Sequence, residues 1–438
     1  MRARCGWGDV IGFQEMNEIQ AVGAEVAAGT GADEPARAED DRSWTYGLMI
    51  APSAVLANGV VQGGALGYLL SQHGVGSGGQ SHMIFLLALP TSLYFLWSPI
   101  TDFFVRRRSW LLGGGLSAAV LMGVAFQQKN LSGRMSMLLM LISACCVQLV
   151  VSSCGGMMGT MRSEMGKRKA SSFYQAGSMG FGALTAWVLV WLSSRVSQGT
   201  LGWVAAGLIG LPTLAALLAP RQEEIATGTL GATARRVGGE FKATFWRVAA
   251  LPYIACMLYP GASGSAIGLL PGIAHQYGVS GDSVAWINGL VGGLLVAAGS
   301  GVMALVKGRA RAPVLYMVVA LINCIGLFVI MLGPLRPATY LVGVLLYLFT
   351  VGCCYAMFTT VVLEFLGDSG KSGSGRYSII NSMGNVPVLY MALVDGWGGD
   401  KWGGRGLAGA EGIVGGMGAL VLLVYFLTLG RRKAADGV

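Results

Sequence analysis

The chain has 438 residues, 54% hydrophobic and only 12% charged, with a formal net charge of +9, 69 glycines and a mean hydropathy of +0.61. A soluble domain carries about 25% charged residues, so this composition excludes a protein whose whole surface faces water. The bases stand in short clusters between apolar runs, which marks membrane topology and argues against a nucleic-acid partner.

Residues 1–42 stand apart. The stretch "NEIQAVGAEVAAGTGADEPARAEDDR" is polar, acidic and rich in Ala and Gly. It has neither the basic leader nor the apolar core of a signal peptide. A disordered cytoplasmic tail is expected there, and Met16 offers an alternative start.

A helix needs about 20 apolar residues to cross a bilayer core. Runs of that kind fall at 44–71, 81–105, 109–127, 135–161, 173–197 and 201–219, and again at 248–277, 282–306, 312–333, 338–366, 376–395 and 408–429. The expected fold is therefore an all-α integral membrane protein. Twelve transmembrane helices form an N-terminal bundle (43–219) and a C-terminal bundle (248–430), joined by a cytoplasmic loop (220–247) and ending in a basic tail (431–438).

With the N-terminus placed inside, 24 of the 30 Lys and Arg residues fall in cytoplasmic segments and 6 in outer loops. The positive-inside rule then puts both termini in the cytoplasm of a cell with this protein in its inner membrane.

The halves repeat each other at a spacing of 204 residues. "GYLLSQHGV" ends at Val75 and "LLPGIAHQYGV" at Val279, and "SMG" recurs at Ser178–Gly180 and Ser382–Gly384. The pairs Cys145-Cys146 and Cys353-Cys354 recur with an offset of 208. Two parallel repeats with a path between them describe a secondary transporter.

The first helix of each half carries a glycine ladder: Gly59, Gly63 and Gly67, then Gly264, Gly268 and Gly272. Glycines four apart let helix backbones approach, and with Pro52, Pro260 and Pro271 they let these helices bend.

In the second span, "LPTSLYFLWSPITDFFVRRRSW" (Leu89–Trp110) ends an apolar run with one acid and three bases. This stretch resembles the loop signature of the major facilitator superfamily, G-x-x-x-D-[RK]-x-G-[RK]-[RK]. Ser98 stands at the Gly position, Asp102 at the acid, and Arg106 and Arg107 at the last bases, while Phe103 and Val105 depart from it. Together with "RSEMGKRKASSFYQAGSMGFG", it is similar to the AmpG-like branch, related to muropeptide permeases and acetyl-CoA transporters.

The resemblance implies a permease that moves a small or amphiphilic organic solute by alternating access. A cell-wall fragment, a CoA-type compound or a siderophore would suit. It also implies that Asp102, Arg106 and Arg107 form a charge clasp closing the cytoplasmic face. The second half keeps Lys307, Arg309 and Arg311 but has Val306 where the acid would fall, so the clasp is one-sided.

Ionisable groups are sparse in the spans. Glu364 and Asp395 fall near span ends, and Glu364 is the candidate for proton coupling if the carrier is proton-driven. Neutral amides are commoner. Asn58, Gln62, Gln148, Gln175, Asn381 and Asn385 are the cavity candidates, while Asn288 and Asn323 also lie in spans. Asn58 and Gln62 share a helix face by spacing, as do Asn381 and Asn385.

A buried amide bonds either another helix or a solute. His73 and His275 fall at outer ends, and Tyr174, Tyr259, Trp187 and Trp286 are expected to pack or anchor.

Other motifs fail. "GDSGKSGSG" has Phe365 where a phosphate-binding loop needs glycine, and "DGWGGDKWGGRG" (Asp395–Gly406) reads as an ordered interfacial loop on the outer side. The eight cysteines lack zinc spacing and read as small buried hydrophobes. No catalytic set and no cofactor or metal site is expected, and the chain is read as a monomer in lipid. A receptor-like or lipid-flipping protein on the same scaffold is the alternative.

Overall fold

The structure is a computed structural model. It describes residues 42–97, 100–102, 105–159, 161, 164–219, six isolated positions between 220 and 250, 251–262, 264–306, 311–366 and 373–435. Almost all of the expected tail, Met16 included, most of the 220–247 loop, and Lys307, Arg309 and Lys371 lie outside the described residues.

Hydrocarbon offers backbone groups no hydrogen-bond partner, so apolar runs of this length must bond internally as helices. Eight helices among the described residues are long and apolar enough to cross a membrane, or nine with the bent pair Thr45–Val61 and Ala65–Gln72. The chain is a multi-pass membrane protein.

Over the other expected spans the helices are broken or run together. The second is Ser77–Ser92 followed by Tyr94–Trp97, and the seventh is Leu251–Met257, a 3-10 turn Pro260–Ala262, then Ala266–Ile273. The last two follow directly on one another over Gly373–Ala435, with a break at Trp402 and Gly403.

Local chemistry explains several boundaries. Ser197 and Ser280 cap the sixth and eighth spans by accepting from the backbone N–H of Thr200 (3.2 Å) and Ser283 (3.3 Å). Pro313 sits in the first turn of Ala312–Leu332, where its missing N–H costs nothing. Gly403 has φ 63°, a conformation that L side chains rarely adopt, and it lets the eleventh span reverse into the twelfth within two residues.

That turn corrects one expectation. The glycine-rich stretch Asp395–Gly406 is not an interfacial loop; it is helical on both sides of Trp402-Gly403. Its glycines serve contact: a Cβ at Gly398 would come closer than 3.0 Å to the Gly406 carbonyl oxygen, and one at Gly399 would strike Ser77.

Two further segments depart from regular α-helix. Ala54–Val61 and Trp286–Val291 are π-helical. Underwinding of this kind is rare, and it concentrates at functional sites.

Packing is strongest between neighbouring spans within each half, third with fourth and ninth with tenth, and between the halves where the second span meets the eleventh. One core cluster runs through both halves, from Val55 and Leu66 to Leu269, Tyr277 and Leu407.

Candidate functional site

The two halves meet around a small pocket between the first, second, fourth and eleventh spans. Gln62, Thr91, Gln148 and Asn385 supply its polar lining, with Leu87 and Val388 on the apolar side. Its free volume is about 10 Å³, about what one water molecule needs.

Three of the six amides named from the sequence therefore come together here. Gln148 donates from Nε2 to Thr91 Oγ1 at 2.9 Å, and Ser92 Oγ donates to the Asn385 carbonyl oxygen at 3.1 Å, which joins the halves at mid-depth.

Asn58 does not line the pocket. Its Nδ2 donates to Ser178 Oγ at 3.0 Å and ties the first span to the fifth. The equal-face expectation for Asn58 and Gln62 fails because both lie in or beside the π-helical stretch, whose i→i+5 bonding turns the side chains relative to a 3.6-residue period. Gln175 is exposed on the fifth span, and the side chain of Asn381 is outside the described residues. Asn288 and Asn323 are buried structural links, to Tyr340 (3.1 Å) and Thr350 (2.7 Å).

The candidate clasp is described only in part. Asp102 ends a 3-10 turn, Ile100–Asp102, and its side chain is outside the described residues. Arg106 is exposed at the N-cap of Arg107–Phe126. Arg107 donates from Nη1 to the Gly156 carbonyl at 2.7 Å, joining the third span to the fourth within one half.

Glu364 is exposed. It accepts from Tyr253 at 2.9 Å through Oε1 and from the Ala312 N–H at 3.3 Å through Oε2. A carboxylate there caps the ninth span and suits its N-terminal dipole.

The buried acids are elsewhere. Asp395 and Glu411 are both fully enclosed, although the sequence placed Asp395 near a span end and passed over Glu411. Ser265 Oγ contacts Asp395 Oδ2 and lies 2.9 Å from Glu411 Oε2. The Ala266 N–H donates to Glu411 Oε2 at 2.7 Å, and the Tyr347 hydroxyl donates to Glu411 Oε1.

The signal that could have found them is symmetry about a turn. With the reversal at Trp402-Gly403, Asp395 and Glu411 lie about equally far along two antiparallel helices, and so at one depth.

The end of the bundle opposite the chain termini, here the distal end, is shut by contacts between the halves. Cβ atoms added at Gly64 and Gly67 would come closer than 3.0 Å to Pro271 and to the Gly268 carbonyl oxygen. Asp400 Oδ1 accepts from the Gly78 N–H at 2.7 Å, capping the second span from the other half. Arg195 pairs with Asp282 at 3.0 Å and stacks over Trp191 at 4.3 Å. Trp187 packs on Trp286 across the same boundary, at 5.6 Å.

Toward the termini, Phe173, Gln175, Ala176 and Met179 are exposed on the fifth span. Hydrogen bonds join the halves at mid-depth and at the distal end.

No family model matches the chain, and no curated protein matches it. Solved structures do. A point variant of the nucleoside transporter NupG aligns at a TM-score of 0.63 with 13% identity, over 88% of this chain and 99% of its own. A D-xylose-proton symporter aligns at 0.63 with 13% identity, over 88% and 96%. A POT family transporter in complex with 5-aminolevulinic acid aligns at 0.63 with 12% identity, over 89% and 96%.

The chain shares its fold with these three transporters. Each of these neighbours is named as a transporter or a symporter. At such identity they speak for the backbone, and the roles of individual side chains rest on this chain's own geometry.

Proposed function

We propose that the chain is a secondary active transporter that moves a small or amphiphilic organic solute by alternating access. One observation carries the reading: a polar-lined pocket lies between two halves that are sealed against each other at the distal end. A cavity between two repeats, gated alternately at its ends, is what alternating access requires.

The excess of bases on the terminus side makes that side cytoplasmic and the distal end the outer face. The conformer is then closed outward. The halves span 43–219 and 248–430, and Gln62, Gln148 and Asn385 are the amides placed to meet a solute. The AmpG-like branch is supported by the Leu89–Trp110 stretch, and Asp102, Arg106 and Arg107 are its candidate inner clasp. The D-xylose-proton symporter among the structural neighbours supports a proton as the driving ion.

The test is counterflow and pH-gradient-driven uptake in proteoliposomes holding the full chain, with a panel of muropeptides, siderophores and peptides. Accumulation of at least one member with an acidic exterior is expected. Failure of every member in counterflow overturns the transport reading, and transport indifferent to the gradient removes the proton. Asp102→Asn is expected to slow exchange by about tenfold, the loss of one charged contact worth about 1.4 kcal/mol. An unchanged rate would dismiss the clasp.

A further inference from the structure

The cluster around Ser265 is short of protons for the contacts it makes. Ser265 Oγ touches a carboxyl oxygen of both Asp395 and Glu411, yet a hydroxyl has one proton to donate. One of the two carboxyls must therefore present a proton of its own to that oxygen.

The remaining bonds say which. Glu411 accepts from Tyr347 and from the Ala266 N–H, as a carboxylate does. Asp395 accepts nothing at Oδ1, which is buried and without a partner. That suits the carbonyl oxygen of a neutral acid and not half of a charge sealed in an apolar interior. The chain of donation runs from Asp395 Oδ2 to Ser265 Oγ to Glu411 Oε2.

Among the described residues no basic side chain faces the pair. The titratable groups around it are Tyr259 on the seventh span, Cys324 on the ninth, and Tyr347, Cys354 and Tyr355 on the tenth. Nothing there compensates a second negative charge, so the pair holds together with a proton and repels without one.

The position of the cluster gives that proton a mechanical effect. Ser265 and Ala266 begin the helix Ala266–Ile273, directly after the break in the seventh span. This helix carries Gly268 and Pro271, which fit against Gly67 and Gly64 of the other half, and Gly272, which fits against Gln80. Its first turn is held by the buried acids, and its later turns form the distal seal.

We propose that Asp395, with Ser265 and Glu411, is a proton-binding site whose occupancy holds the distal end closed. Resting on the transport reading above, the bound proton is the coupling ion, and the site drives the gate without touching the solute. On release the proton passes from Asp395 Oδ2 to a water molecule, leaving a carboxylate. The two like charges then loosen the first turn of Ala266–Ile273 and with it the contact on the first span.

Hydrogen–deuterium exchange on the purified full chain in nanodiscs, with no solute present, tests this. Rates are corrected for the intrinsic pH dependence of amide exchange. Opening linked to loss of one proton rises about tenfold per pH unit over the titration. Faster exchange of Ala266–Ile273 and Ala65–Gln72 at about pH 8 than at about pH 5 is therefore expected in the unaltered protein.

Asp395→Asn keeps the donor and cannot ionise, so its exchange should stay flat and slow. Glu411→Gln should weaken the response, because losing the proton no longer sets two like charges side by side. Glu364→Gln should respond as the unaltered protein does. A flat response in the unaltered protein, or a full response in Asp395→Asn, overturns the site. If the response disappears in Asp395→Asn while no solute moves in counterflow, the site stands and the transport reading falls. Counterflow without any exchange response gives the reverse.

Discussion

Replacing Gly67 with valine is expected to stop transport while leaving the protein folded. A Cβ at this position would come closer than 3.0 Å to the Gly268 carbonyl oxygen on the opposing half, and backbone cannot rotate away as a side chain can. Overpacking of this kind costs about 1–3 kcal/mol, and at the upper end that lowers the population of the closed distal state by more than about 100-fold.

The cost falls on one conformer. In an outward-open state the two helices separate and the valine meets lipid or water, so each half folds as before. Solute counterflow should drop by about the same factor, with an unchanged elution profile in detergent. Gly207→Val is the control, since nothing lies within 4 Å of a Cβ there. A Gly67→Val protein that exchanges solute at the normal rate would show that the glycine contact is not a gate.

Gly299→Val should act on folding itself. Cβ atoms at Gly299 and Gly352 would come closer than 3.0 Å to the carbonyl oxygens of Phe349 and Val296 respectively, so the eighth and tenth spans cross backbone to backbone. Ser300 Oγ donates to the Gly352 carbonyl at 2.8 Å and fixes the crossing. Both helices belong to one half, and no conformer of a rigid-half cycle separates them.

Valine at 299 must push them apart and break that bond as well, for a loss above about 3 kcal/mol. Thermal unfolding followed by a thiol-reactive dye reads the change, because the buried Cys353 and Cys354 on the tenth span become reactive as it opens. A melting temperature equal to that of the unaltered protein would refute the close crossing.

Much of the span plan was legible because lipid imposes one answer on a long apolar run, and the eight long apolar helices lie on runs that hydropathy marks. The ladders were legible as close-packing faces too. Their partners were not: Gly59 meets Thr185 within its own half, whereas Gly67 meets Gly268 of the other, and spacing cannot tell these apart.

The buried acids were missed for a specific reason. Glycine and tryptophan between Asp395 and Gly406 read as loop residues by the habits of soluble proteins, while in a membrane glycine is a helix-packing residue. Once the reversal shrinks to Trp402-Gly403, Asp395 moves about two turns inward and gains Glu411 as its neighbour. The amides split for a different reason, since a π-helical segment shifts angular phase and no residue pattern in the first span announces it.

The two-residue reversal also acts as a ruler. It fixes how far down each arm of the hairpin an acid must stand for the two to meet, so the pairing of Asp395 with Glu411 is a matter of counting as much as of attraction. One residue added beside Gly403 would turn Glu411 by about 100° and slide it about 1.5 Å. Every substitution that keeps the count leaves the two carboxyls opposed, and every change of count, however mild its chemistry, parts them.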